Sequence, residues 1–191
     1  MDALKEMSSG RWHNGFNGKI GESLESAADL CFLLNSLPPS AKKKRKEVLR
    51  GLLGNIGEDC IIHSPFRCDI GNNIRIGDRV ICNFNLSILD EALVEIGDDV
   101  FIGPNTTICT ITHSLDREER VKGVMRALPI KIGDGAWLGA GVTIMPGVEI
   151  GEGSVVGACS LVTKNIPSGV LAFGSPCHVV RKLTPDNKRV P

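Results

Sequence analysis

Few side chains in this sequence can carry a proton near neutral pH, and four of them are histidines: His13, His63, His113 and His178. An unperturbed imidazole titrates between pH 5 and 8, so each is a candidate general base. His63, His113 and His178 would also make the minimum set for a catalytic zinc ion, but their scattered spacing gives no reason to expect convergence. Seven cysteines, at 31, 60, 68, 82, 109, 159 and 177, are odd in number and contain no C-x-x-C pair. They are expected as small buried residues in a reducing compartment, not as a disulfide framework or a metal cluster. The run Lys42-Lys43-Lys44-Arg45-Lys46 has the charge of a nucleic-acid patch. Acidic residues elsewhere cancel it, 22 Lys+Arg against 22 Asp+Glu, and no aromatic rings interleave for stacking. A solvated helix face is the expectation.

What positions these residues is a repeat of six. Ile, Leu or Val stands at 56, 62, 70, 76, 88, 96, 102, 108, 132, 138, 144, 150, 156 and 162, with Cys82 completing the register. Eleven of the eighteen Ile residues fall on these fifteen positions, which chance does not produce. A six-residue period is neither helical nor a long alternating strand. It fits a short strand with one inward aliphatic residue, then a turn. Gly follows at nine of the fifteen positions, where a tight corner favours a residue without Cβ. Two residues earlier the side chains are small or branched, as at Ala136, Val142, Val148, Ser154 and Ser160. The interior is therefore too thin for rings, in keeping with 4% aromatic residues and no Tyr. At three steps per turn the register predicts a mainly β protein, a parallel β-helix of about five coils stacked at about 4.8 Å.

The register slips at three steps. Those from 62 to 70 and from 88 to 96 each carry two extra residues, and the step from 108 to 132 carries eighteen. The last predicts a projecting loop over 109–131 that holds Thr112-His113 and a charged stretch, Asp116-Arg117-Glu118-Glu119-Arg120. Of the four histidines only His113 sits there. Asn83 follows Cys82 where most coils place Gly, so its side chain is expected to project from a corner.

Ahead of the repeat, residues 22–36 put Leu24, Ala27, Ala28, Cys31 and Leu34 on one helical face. Pro38-Pro39 ends that helix; Ser40 is placed to cap a second, which runs to about Leu53 and stops at Gly54. The expected organisation is a helical subdomain over 1–54, a solenoid over 55–183 and a frayed tail over 184–191. No run of 18 apolar residues is present, and the start of the chain is polar, so a cytoplasmic protein is expected.

Repeat, loop and tail together resemble the hexapeptide-repeat acyltransferases, and within them the maltose and galactoside O-acetyltransferase group. The residues that carry the resemblance span nearly the whole chain. They are Leu37-Pro38-Pro39, Pro65-Phe66-Arg67-Cys68-Asp69-Ile70-Gly71 and Asn83-Phe84-Asn85, then Thr112-His113, Gly135-Ala136-Trp137-Leu138-Gly139, Pro146-Gly147-Val148 and Gly174-Ser175-Pro176-Cys177. The resemblance implies a left-handed coil, which residue spacing cannot supply, since the usual crossover rule points the other way. It also implies a homotrimer with active sites between subunits, acetyl-CoA as cosubstrate, a sugar hydroxyl as acceptor and no metal.

Residue by residue, the resemblance implies His113 as catalytic base, with Asn83 contacting the acceptor or orienting the reacting groups. Asp69, Glu91 and Met125 fall where sugar contacts lie. Ala140 supplies a backbone N–H for the thioester oxygen. Trp137 lies along the pantetheine arm, and Ala158, Thr163, Lys164, His178 and Arg181 make the remaining cofactor contacts. Lys164 and Arg181 suit phosphate, whereas His178 stands where Arg is frequent. Asn14-Gly15 stands where the family often places an acidic residue, which bears on the identity of the acceptor. Three other functions share the solenoid: a zinc carbonic anhydrase, a non-catalytic subunit of a larger assembly, and an acetyltransferase for an antibiotic or amino acid.

Overall fold

The computed structural model describes residues 3–187. The last positions of the expected frayed tail, 188–191, lie outside the described residues. Three parallel sheets form the faces of a prism. The first face stacks Asn55–Ile56, Ile74–Ile76, Val94–Ile96, Ile130–Ile132 and Glu149–Ile150. The second stacks Ile61–Ile62, Ile81–Cys82, Phe101–Ile102, Trp137–Leu138 and Val155–Val156, then adds Val170–Phe173 in parallel and His178–Lys182 antiparallel. On the third lie Phe66–Cys68, Leu86–Leu89, Thr107–Cys109, Thr143–Ile144 and Leu161–Val162. Five coils result, as the period of six predicts. Ile76, Cys82, Ile88, Ile102, Ile108, Leu138, Ile144 and Val162 all point into a core with almost no solvent contact.

One step of the register is different. Cys68, not Ile70, pairs with Ile88 on the third face, so the two surplus residues follow 68 rather than precede 70. The surpluses after Cys68 and Ile88 and the long insertion after Ile108 therefore fall on the same edge, where the third face turns into the first. Two residues per coil swell that edge below the loop. This is the third edge; the first lies between faces one and two, the second between faces two and three.

The glycines after the aliphatic positions are needed for a different reason from the one expected. Gly77, Gly97, Gly103 and Gly139 do not adopt positive φ. A Cβ on Gly77 would lie 2.2 Å from Asp98 Oδ1, and one on Gly139 would lie 2.6 Å from the Ala158 amide nitrogen. The coils approach too closely there for a side chain. Left-handed backbone occurs two residues later, in columns: Asp59, Arg79, Asp99 and Gly135 on the first edge, Asn85, Asn105 and Gly141 on the second. Asp78, Asp98 and Asp134 stack on the first edge, each Oδ1 accepting the amide of the coil below, from Glu58, Asp78 and Asp98 respectively.

The faces differ outside. Along the first run Asn55, Arg75, Glu95, Lys131 and Glu149, a polar column in which charges of opposite sign alternate from Arg75 onward in neighbouring strands. Along the second run Ile61, Ile81, Phe101, Trp137, Val155 and Leu171, an apolar column with Phe101 and Trp137 about half exposed at 49% and 48%.

Among the described residues, four α-helices accompany the coil. Helix α1 (Ala3–Met7) is short, and α2 (Gly18–Ser36) starts earlier than the apolar pattern suggested because Asn17 caps it, its Oδ1 accepting from the Lys19 amide at 3.0 Å. Its buried face is Ile20, Ala27, Cys31 and Leu34; Leu24 and Ala28 face outward, since the helix packs against one strand of the coil and buries only a narrow stripe. Helix α3 (Lys42–Leu52) follows Ala41, not a capping Ser40, because Pro38–Ala41 closes a turn of its own. Arg45 leaves the solvated run and reaches inward. Its guanidinium donates to the carbonyls of Leu34, Leu37 and Ile62 and to Ser64 Oγ, joining both helices to the first coil. Helix α4 (Arg117–Val121) lies in the insertion. No described helix is long and apolar enough to cross a membrane.

Candidate active site

His113 closes a strand, Ile111–His113, that pairs antiparallel with Val124–Ala127; this strand in turn pairs with His13–Asn14. The inserted loop and the segment around His13 are thus joined in one small sheet. Its register aligns His113, Met125 and His13 in a row across three strands. The loop beyond is closed by its own charges. Asp116 Oδ1 accepts from the Glu119 amide, Ser114 Oγ donates to Glu119 Oε2 at 2.6 Å, and Arg120 donates to the carbonyls of Ser114 and Leu115. His113 is exposed on a braced hairpin, not on a floppy loop.

Gly15 makes room for Met125: a Cβ there would lie 2.0 Å from the Met125 sulfur. Met125 is thereby pinned between the N-terminal segment and His113's strand. His13 is buried, with Nδ1 3.1 Å from the Arg11 carbonyl.

Below the hairpin, the swollen third edge concentrates carboxylates. Asp90 is fully buried; its Oδ1 accepts from the amides of Asp69 at 3.1 Å and Ile70 at 2.9 Å, and its carbonyl accepts from Asn73 Nδ2. Burial pushes its carboxyl up to about 6, with the backbone amides opposing. Glu91, also buried, is pushed up to about 8 by burial first and then by the charge of Asp69, with which it shares a hydrogen bond. Asp69 is raised too, mainly by burial, while Glu91's hydrogen bond holds it down. At neutral pH the proton of this pair rests on Glu91 and the charge on Asp69. Thr110 Oγ1 donates to the Leu89 carbonyl and accepts from the Ala92 amide, locking the hairpin's root to the carboxylate corner. The Cys109 thiol beside it is pushed up, by burial first and then by the Glu91 and Asp69 charges, so it stays protonated.

The structure divides the expected site residues between edges. Asp69, Glu91, His113 and Met125 gather on the third edge and its hairpin, and Thr163 and Lys164 lie on the same edge at the top coil. Asn83, Ala140 and Ala158 stand on the second edge, on the far side of the third face. Trp137 is on the outer column of the second face, with His178 and Arg181 on the antiparallel strand at its end. His113 and Asn83 therefore do not meet within one chain. His63 lies on the second edge too, its ring 4.9 Å from that of Phe84. No group of three or more metal-ligating side chains occurs among the described residues. Asp90 and Thr110 were not singled out from the sequence. Both lie where the register carries surplus residues, Asp90 between 88 and 96 and Thr110 at the start of the insertion.

Residues 129–164 match the family described as bacterial transferase hexapeptide (six repeats), and residues 6–57 match the maltose acetyltransferase hexapeptide capping motif. A putative acetyltransferase of Saccharomyces cerevisiae is 50% identical over 78% of this chain and 76% of its own. The galactoside O-acetyltransferase of Escherichia coli is 41% identical over 83% of this chain and 78% of its own. Among solved structures, a galactoside acetyltransferase in complex with coenzyme A superposes with a TM-score of 0.94 at 36% identity, covering 100% of this chain and 95% of that one. Coil, inserted hairpin and helical cap thus define a hexapeptide-repeat acetyltransferase. Within that class, the chain belongs to the maltose and galactoside O-acetyltransferase group.

Proposed function

We propose that the protein transfers an acetyl group from acetyl-CoA to a hydroxyl of a sugar of the maltose, glucose or galactoside type, at sites completed between the subunits of a homotrimer. The observation that carries this is the division of the site. The base and the carboxylate corner occupy one edge of the prism, whereas Asn83, Trp137, Ala140 and Ala158 occupy another. A neighbouring subunit that brings its second edge against this chain's third edge closes the cleft, and a ring of such contacts is head-to-tail. The apolar column on the second face, unlike the charged first face, is fit to be covered.

In the reaction, the acceptor oxygen attacks the acetyl carbon while His113 takes the hydroxyl proton. The carbonyl oxygen gains charge and is met by the Ala140 N–H. The carbon–sulfur bond then breaks, and the proton held by His113 passes to the departing thiolate. Transfer in this scheme is direct, from the thioester carbon to the acceptor oxygen, with no acyl-enzyme formed. Asp69 accepts sugar hydroxyls, and Glu91, whose proton is donated to Asp69, holds that carboxylate in place. Trp137 packs along the pantetheine arm; Lys164, Arg181 and the weaker His178 bind phosphate, with Ala158 and Thr163 lining the path. A different small acceptor, an antibiotic or amino acid, is the second reading, favoured by Gly15, which leaves no acidic side chain beside Met125.

The test is thiol release from acetyl-CoA across sugars, sugar nucleotides and amino acids, with wild type and His113→Ala. Loss of one base is worth roughly 10²–10⁴ in rate. That loss is expected in kcat, on protein shown to be trimeric by light scattering and to bind acetyl-CoA by calorimetry. A variant retaining more than about a third of wild-type kcat, far above that range, would mean that His113 is not the base.

A further inference from the structure

We propose that Cys31 and Cys68 form an oxidisable thiol pair, a site at which a hydroperoxide joins the cap helix to the first coil by a disulfide. The two sulfurs lie 3.7 Å apart, Cys31 on the buried face of α2 and Cys68 at the end of the first strand of the third face. Their separation is 37 residues, so only the packing of cap on coil brings them together. That packing is held in register by Asn35, one helical turn after Cys31. Asn35 Nδ2 donates to the Phe66 carbonyl, and the Phe66 amide donates to Asn35 Oδ1, both at 2.9 Å. The side-chain amide takes the place of a missing strand at the open end of the third face. One turn back along the helix and two residues on along the strand, the thiols face each other. A disulfide needs the sulfurs to close by about 1.7 Å, to about 2.05 Å, within reach of side-chain rotation when the backbones are already in contact.

The chemistry of the pair supports its use. The hydrogen bond from Cys68 holds the Cys31 thiol down to about 7, with Arg67 adding attraction and burial opposing. Cys68 is pushed up, because it supplies that hydrogen bond and is itself buried. Cys31 is the thiolate and Cys68 the resolving thiol. The Cys31 thiolate attacks one peroxide oxygen, the O–O bond breaks, and hydroxide leaves, taking the Cys68 proton to become water. Cys31 is then a sulfenic acid. The Cys68 thiolate attacks its sulfur, and the hydroxide expelled takes a solvent proton. Two thiols lose two electrons and one peroxide becomes two waters. Cys68 directly precedes Asp69, so the bond would anchor the carboxylate corner to the cap.

The experiment treats the reduced full-length protein with hydrogen peroxide, alkylates it, digests it without reductant and identifies linked peptides by mass spectrometry. The expected result is a Cys31–Cys68 linked peptide, two fewer titratable thiols after denaturation, and recovery of both with dithiothreitol. Cys31→Ser and Cys68→Ser should each abolish the link. Alkylation of both Cys31 and Cys68 after peroxide, with oxidation confined to the exposed Cys159, would overturn the proposal. So would a link that forms only when peroxide is added to denatured protein. The peptide map uses wild-type protein and no activity, so it stands even if a variant folds poorly or the proposed acceptor is wrong.

Discussion

Replacing Glu91 with Gln isolates the electrostatics of the carboxylate corner. Glu91 is 7% exposed, and its folded-state pKa of about 8 lies well above the ordinary value of 4.5. Below pH 4.5 both folded and unfolded chains carry the proton, and its contribution to stability is complete. Between 4.5 and 8 the unfolded chain releases the proton while the folded chain keeps it. Stability therefore falls as pH rises through that window, and levels off above it. One group contributes at most about 1.4 kcal/mol per pH unit, which over this window is on the order of 5 kcal/mol. Asp90, raised from 3.8 to about 6, adds to the slope below pH 6 only, and Cys31, lowered from 9.0 to about 7, adds an opposite slope above pH 7 in both proteins, so the difference between the two from pH 6 to 8 reports Glu91. Gln keeps the size of the side chain and a donor toward Asp69 but cannot titrate. Urea unfolding of both proteins at pH 5, 6, 7 and 8, at one protein concentration because of linkage to assembly, measures the difference. Between pH 6 and 8 wild type should lose stability steadily relative to Glu91→Gln, which becomes the more stable protein at pH 8. Equal slopes for the two proteins in that interval would mean that Glu91 is ionised and hydrated at neutral pH, and the proton placement on the acceptor corner would be wrong.

Gly139→Ala puts a methyl group 2.6 Å from the next coil's backbone and should cost about 1–3 kcal/mol by denaturation, the range for overpacking. Gly135→Asp, at a left-handed position that Asp59 and Asp99 already occupy in other coils and with open space around it, should cost less than about 1 kcal/mol. Gly15→Ala must displace the Met125 sulfur, so the acceptor KM should rise several-fold while the acetyl-CoA KM holds; unchanged kinetics would remove Met125 from the acceptor site. Lys164→Ala should raise the KM for acetyl-CoA with a smaller effect on kcat and reduce the salt sensitivity of its binding. An unaltered acetyl-CoA KM there would take Lys164 out of the phosphate contacts.

The aliphatic repeat determined by itself the solenoid, the number of coils and the place of the inserted loop. A six-residue spacing of buried positions has few other structural solutions, and each position reports locally. The sequence likewise placed His113 in the insertion and Asn83 on a corner. It did not reveal that Asp69 lies past the inward residue of its strand, on the edge at the root of His113's hairpin, because a surplus of two residues can be absorbed before or after the inward position and the local pattern is the same. Pairing of Cys68 with Ile88 decided it. The small sheet that aligns His13, Met125 and His113 was also invisible, since a two-residue strand carries no periodicity. Nor could spacing tell that Arg45, within a run of lysines, reaches four partners in the cap and the first coil, or that the corner glycines answer to the coil above instead of to their own torsions. Each of these depends on what lies one coil or one helix away. Such contacts join residues on different elements, and only the folded chain brings them within a few ångströms.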